Sequence, residues 1–136
     1  MVEIDIEYEG DLRCRATHGP SGSRIATDAP VDNQGRGEAF SPTDLLATAT
    51  GTCMMTTMGI FARRKGIDLD GSRMRVVKEM VADPLRRVGR LGVILDLPAR
   101  ILPAQRQALE NAAHTCPVHK SLHPDVRIDV EFRYSL

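Results

Sequence analysis

The sequence has no tryptophan and only two Tyr and three Phe among its 136 residues. That leaves little to stack on nucleobases. Lys plus Arg equals Asp plus Glu at 18 each, so no basic field is present to hold a phosphate backbone or an acidic membrane. Neither nucleic acid nor membrane is an expected partner. Cysteine is also scarce. Cys14, Cys53 and Cys116 form an odd, widely spaced set, which excludes a secreted disulfide framework. The opening residues MVEIDIEYEG lack the basic and apolar regions of a secretory signal, and the cytoplasm is the expected compartment. No repeat, linker or low-complexity segment interrupts the chain, whose length suits a single domain over residues 1–136.

Charge is missing altogether from Leu45 to Ala62, inside the stretch FSPTDLLATATGTCMMTTMGIFARRKG. Ser41 can cap a helix here, Pro42 suits its first position, and Asp44 stands three residues after Ser41, where a capping box closes. Arg63, Arg64 and Lys65 suit the negative end of the helix dipole, and Gly66 suits a left-handed C-cap. Leu45, Leu46, Ala49, Cys53, Met54, Met58 and Ile60 fall on several sides, which predicts a helix buried all round. Its length would cross a bilayer, but Thr48, Thr50, Thr52, Thr56 and Thr57 argue for a soluble core instead.

Around this helix the pattern is that of strands. Val2 to Tyr8 alternates apolar and acidic residues, as a half-buried strand does. Leu12–His18 and Arg24–Thr27 follow it, and a Gly- and Asp-rich loop leads into the helix. Strands Arg73–Val81 and Arg86–Leu97 come next, joined at Asp83-Pro84. A helix Ala104–His114, a short helix Val118–Leu122 and a strand Asp125–Tyr134 complete the order βββ-α-ββ-αα-β. Strands grouped in hairpins predict an α+β fold with antiparallel sheets around a long central helix, not a doubly wound one.

Cys53 falls mid-helix and Cys116 at a helix start, where unpaired N–H groups lower a thiol pKa. Should the two meet, one thiolate can reduce an oxidant and become a sulfenic acid, and the other can condense with it to a disulfide. Two inert core thiols would give the same spacing. His114, Cys116, His119 and His123 invite a zinc reading, but their spacing matches no established zinc framework. His119 can instead tune Cys116 from three residues away, or stand as a solvated surface residue.

SPTDLLATATGTC, followed by CPVHKSL, resembles the OsmC/Ohr family: osmotically inducible protein C and the organic hydroperoxide resistance proteins. The opening YEGDL, the Gly-rich loop and the closing strand resemble it as well. The resemblance implies an intertwined homodimer with two long central helices packed between sheets. It implies Cys53 as the peroxide-reacting thiol and Cys116 as the resolving one, in thiol-dependent reduction of organic hydroperoxides. It implies no metal or prosthetic group, and an external dithiol as reductant, with lipoyl groups implied for the Ohr branch. The peroxidase branches place a Glu after the Pro of the helix start, where this chain has Thr43, with Asp44 next. They also place an Arg near the thiolate. Arg15 is the expected residue, with Arg13 and Arg36 as alternatives and Cys14 in the same stretch. A non-catalytic protein that senses oxidation or binds a small hydrophobic ligand is the alternative function.

Overall fold

The computed structural model describes all 136 residues. The chain falls into two compact units, Met1–Leu46 and Ala47–Leu136. The first holds a three-stranded antiparallel sheet, β1 (Ile4–Gly10), β2 (Arg13–His18) and β3 (Arg24–Asp28), in the order β1-β2-β3. The β1–β2 turn passes through Gly10, Asp11 and Leu12, all with positive φ. Register sets Tyr8 opposite Cys14, Ile6 opposite Ala16, and Cys14 opposite Thr27. Alternation makes Ile4, Ile6 and Tyr8 one apolar face. That face was expected to be half-buried, yet Ile6 is 69% and Tyr8 64% exposed. The unit contributes no second layer of secondary structure to cover it.

The central helix, α1 (Pro42–Lys65), starts as its sequence dictates. The Ser41 N–H donates to Asp44 Oδ2 at 2.8 Å and the Asp44 N–H donates to Ser41 Oγ at 3.1 Å, a closed capping box. At the other end Gly66 takes φ 66°, and the Ile67 N–H donates to the Ala62 carbonyl at 2.9 Å, a Schellman ending.

In the second unit β4 (Arg73–Val81), β5 (Arg87–Leu97) and β6 (Arg127–Tyr134) form a sheet in that order. β4–β5 is an antiparallel hairpin, and β5–β6 is parallel, where an antiparallel sheet was expected. The reason is the connection. α2 (Pro103–Ala113) and α3 (Pro117–Ser121) carry the chain back to the same end of the sheet, as a parallel crossover requires. Leu91, Val93, Leu95 and Leu97 of β5 are buried, and Val93, Leu95 and Leu97 pack with Met54, Met58 and Ala62 of α1 and Leu109 and Ala113 of α2.

The helix is not buried all round. Its buried residues, Ala47, Thr50, Gly51, Met54, Met58 and Ala62, form one stripe, and Ala49, Thr52, Thr56 and Ile60 on the other side are exposed. One sheet covers one side of a helix and no more. By length and composition α1 could cross a membrane, but this stripe is seated in the protein core.

Candidate functional site

α1 brings Cys53 out of its middle, half-buried, onto the flank of the core stripe. Cys116 arrives from the other direction. It caps α3 with φ −58° and ψ 130°, and its Sγ accepts from the His119 N–H at 3.3 Å. Pro117 at the first helical position has no N–H to offer, so the Val118 and His119 amides are the free donors of this turn. Cys116 is fully buried and all three cysteines are free thiols. The side chains of Cys53 and Cys116 hydrogen-bond to one another.

This contact separates the two thiols electrostatically. Burial pushes the Cys53 thiol up, but hydrogen bonds from the Cys116 S–H, the Val118 N–H and the Thr57 hydroxyl outweigh it, and the net direction is down. Burial pushes the Cys116 thiol up as well. Cys53 pushes the same way, because Cys116 must keep its proton to donate it, and the His119 and Val118 amides do not make up the difference. A Cys116 pKa lowered by its helix start is therefore overturned: desolvation and the neighbouring sulfur win over two N–H groups. The resemblance implies an Arg near this thiolate; the groups that lower the Cys53 pKa are neutral ones of its own unit.

Arg15 lies in β2 and forms an ion pair with Glu9 on β1. Arg13, on the same strand, donates to Asp28 at 3.3 Å and Glu38 at 2.7 Å. The buried Asp28 carboxyl is held below the usual range by the Glu38 N–H first, against its own desolvation, and then by Arg13. Arg36 is exposed in the loop before α1. Cys14 is half-buried between Tyr8 and Thr27.

The histidines do not assemble a metal site. His114 and His119 meet edge to face at 6.4 Å, His114 also meets Phe132 at 6.0 Å, and no three His, Cys, Asp or Glu side chains converge. It is the backbone N–H of His119, not its ring, that touches Cys116. Burial lowers the His119 pKa, with Lys120 and His114 adding to the effect, so the ring is neutral near pH 7. Thr57 and Val118 escaped the sequence reading. A Thr four residues after Cys53 was the visible signal for the first, since i and i+4 share a helix face.

A family model described as OsmC-like protein matches residues 35–131, well over half of the chain. A solved structure from Psychrobacter arcticus 273-4, assigned to the osmotic stress induced and detoxification response, is 47% identical. It superposes with a TM-score of 0.92 over 98% of this chain and 96% of that one. The organic hydroperoxide resistance protein OsmC of Legionella pneumophila is 18% identical at TM-score 0.75, covering 98% and 96% of the two chains. OhrB of Bacillus subtilis is 19% identical at TM-score 0.71, covering 98% of each. At those identities the last two show a shared fold. No curated protein matches the sequence. From the family model over residues 35–131 and the 47% identical structure, this chain belongs to the OsmC-like family.

Proposed function

We propose that this protein reduces organic hydroperoxides to alcohols with its two thiols, as part of the response to peroxide stress in the cytoplasm. The observation that carries the reading is the Cys53–Cys116 hydrogen bond, with the first thiol biased toward thiolate and the second toward thiol. The organic hydroperoxide resistance proteins of Legionella and Bacillus that share this chain's fold point the same way. The Cys53 thiolate attacks the terminal oxygen of ROOH. The O–O bond breaks, an S–O bond forms, and the alkoxide takes a proton and leaves as ROH. Cys53 is oxidised to the sulfenic acid. Cys116 then attacks the Cys53 sulfur as its thiolate, an S–S bond forms, and the sulfenic oxygen leaves as water after taking a proton. An external dithiol, a lipoyl group among the candidates, returns both cysteines to thiols by two exchanges and is itself oxidised to a disulfide. Arg15 is the proposed cation on the peroxide side, in a protein that works as a homodimer.

The experiment is consumption of cumene hydroperoxide by the purified protein with dihydrolipoamide, thioredoxin or glutathione as reductant. Cys53→Ser is expected to abolish it. Cys116→Ser is expected to stop after one turnover with a sulfenic acid on Cys53, trapped by dimedone and seen by mass spectrometry. Unimpaired turnover by Cys53→Ser would refute the assignment. The non-catalytic alternative draws on the helix start: Asp44 is committed to the Ser41 N–H, and Thr43 stands where the peroxidase branches carry Glu. Wild type that reacts no faster than free cysteine would favour it.

A further inference from the structure

The two-thiol cycle leaves one proton without a destination. In the resting site the Cys116 S–H is hydrogen-bonded to Cys53, and burial and Cys53 together keep that proton on Cys116. Once Cys53 has become a sulfenic acid, its thiolate is no longer there to accept. Cys116 must still lose its proton to attack the Cys53 sulfur. It is fully buried, so bulk water does not take the proton directly.

His119 is the base in reach. Its backbone N–H donates to Cys116 Sγ at 3.3 Å, and the Lys120 N–H donates to the Cys116 carbonyl at 3.2 Å, which fixes the turn on the sulfur. Nδ1 of the His119 ring is buried and has no hydrogen-bond partner. It is four bonds from the amide nitrogen that touches the sulfur, a separation on the order of 3–4 Å. A buried ring nitrogen without a partner costs stability, and a redox or catalytic role is one reason a native structure keeps it. His114 braces the ring edge to face at 6.4 Å and itself rests on Phe132 of β6 at 6.0 Å. The groups that act on the charge of the ring are Lys120 in α3 and His114 at the end of α2. Both oppose protonation, as burial does, and no carboxylate offsets them. The ring is a neutral base at pH 7.

We infer that His119 is the proton acceptor for Cys116 in the resolving step. This deepens the peroxidase reading and rests on it. The His119 ring takes the Cys116 proton, the Cys116 sulfur bonds to the Cys53 sulfur, and the S–O bond of the sulfenic acid breaks. The leaving hydroxide takes a proton from the imidazolium and departs as water, which returns the ring to neutral. Cys116 is oxidised, the sulfenic sulfur is reduced, and no outside reagent enters. A His119 that only packs would leave the pH dependence of this step to Cys116 alone.

The test has two arms. In the first, reduced protein receives one equivalent of cumene hydroperoxide in a rapid-quench instrument, and sulfenic acid and disulfide are counted by mass spectrometry after dimedone and N-ethylmaleimide. His119→Gln is expected to oxidise Cys53 within about twofold of wild type, which also shows that it is folded, and to form the disulfide roughly tenfold slower or more. Wild-type disulfide formation is expected to slow as pH falls below the ordinary histidine range, and His119→Gln to lose that limb. His123→Gln, whose ring stands 3.6 Å from Asp125, is expected to behave as wild type. The second arm needs no peroxide and uses a Cys14→Ser background. Ellman's reagent forms a mixed disulfide on Cys53, and attack by Cys116 releases a second thionitrobenzoate. His119→Gln is expected to leave the first release unchanged and to slow the second roughly tenfold or more. If wild type consumes no hydroperoxide, the peroxidase reading fails while the second arm still decides the role of His119. Equal second-release rates in wild type and His119→Gln overturn the inference. So does an acid limb that persists in His119→Gln, or a variant slowed alike in both half-reactions, since His119 would then serve packing alone.

Discussion

Thr57 is the residue through which the site can be tuned without touching a sulfur. Its hydroxyl donates to the Cys53 carbonyl at 2.8 Å and, beside the sulfur, adds the smallest of three contributions that hold the Cys53 thiol below its ordinary range against desolvation. Removing it in Thr57→Val raises that pKa. The fraction of thiolate at neutral pH falls and the peroxide reaction slows, while above both midpoints the two proteins converge. The pH dependence of Cys53 alkylation by iodoacetamide, followed by peptide mass spectrometry, checks the direction; a midpoint that moves down would contradict it. Cys116, raised by burial and by Cys53, is expected to alkylate only at higher pH than Cys53 in the same experiment. The cysteines themselves were legible in the sequence, because their two motifs are specific. The donors were not. An amide of Val118 acts across a tertiary contact, and no spacing in the chain advertises it.

At the scale of elements, α1 depends on its start and on one close approach. Ser41→Ala removes the acceptor for the Asp44 N–H in a buried capping box and is expected to cost about 1 kcal/mol in urea unfolding. Gly51 faces β4, and a Cβ there would come within 2.7 Å of Val76 Cγ2 and 2.8 Å of Met74 Sδ. Gly51→Val forces these side chains apart and is expected to destabilise by about 1–3 kcal/mol, read as a lower urea midpoint with unchanged slope. A neutral result would mean that β4 yields more readily than a packed sheet does. Capping residues and the C-terminal Gly66 were readable in advance because they act within a few residues of each other. The parallel β5–β6 pairing was not, since the strands' own apolar patterns suit either direction and the crossover decides it.

At the scale of the molecule, two apolar surfaces remain open in the single chain. Ile4, Ile6 and Tyr8 line the first sheet, and Ala49, Thr52, Thr56 and Ile60 line the free side of α1. Contiguous apolar surface of this kind marks an interface, and a second copy of the chain is the occupant that the family resemblance implies. Sedimentation at micromolar concentration is expected to give a dimer, and Ile6→Glu to weaken it by placing a charge on the first sheet; a monomeric wild type would refute this. We also keep the proposal of a single domain. It predicts that far-UV circular dichroism and thiol accessibility report one coincident unfolding transition, where two independent units would give two.

The chain alone carries the order of the elements, their bounds to within two residues, the ends of α1 and the two motifs that hold Cys53 and Cys116. All of these are set by contacts between residues near in the chain, or by residue types with few uses. The tertiary structure alone decided that the two sulfurs share a hydrogen bond, which thiol loses its proton first, and which side of α1 is covered. Those outcomes turn on burial and on donors brought together from α1 and α3, and a helix apolar on every side carries no local signal for the face its sheet will take.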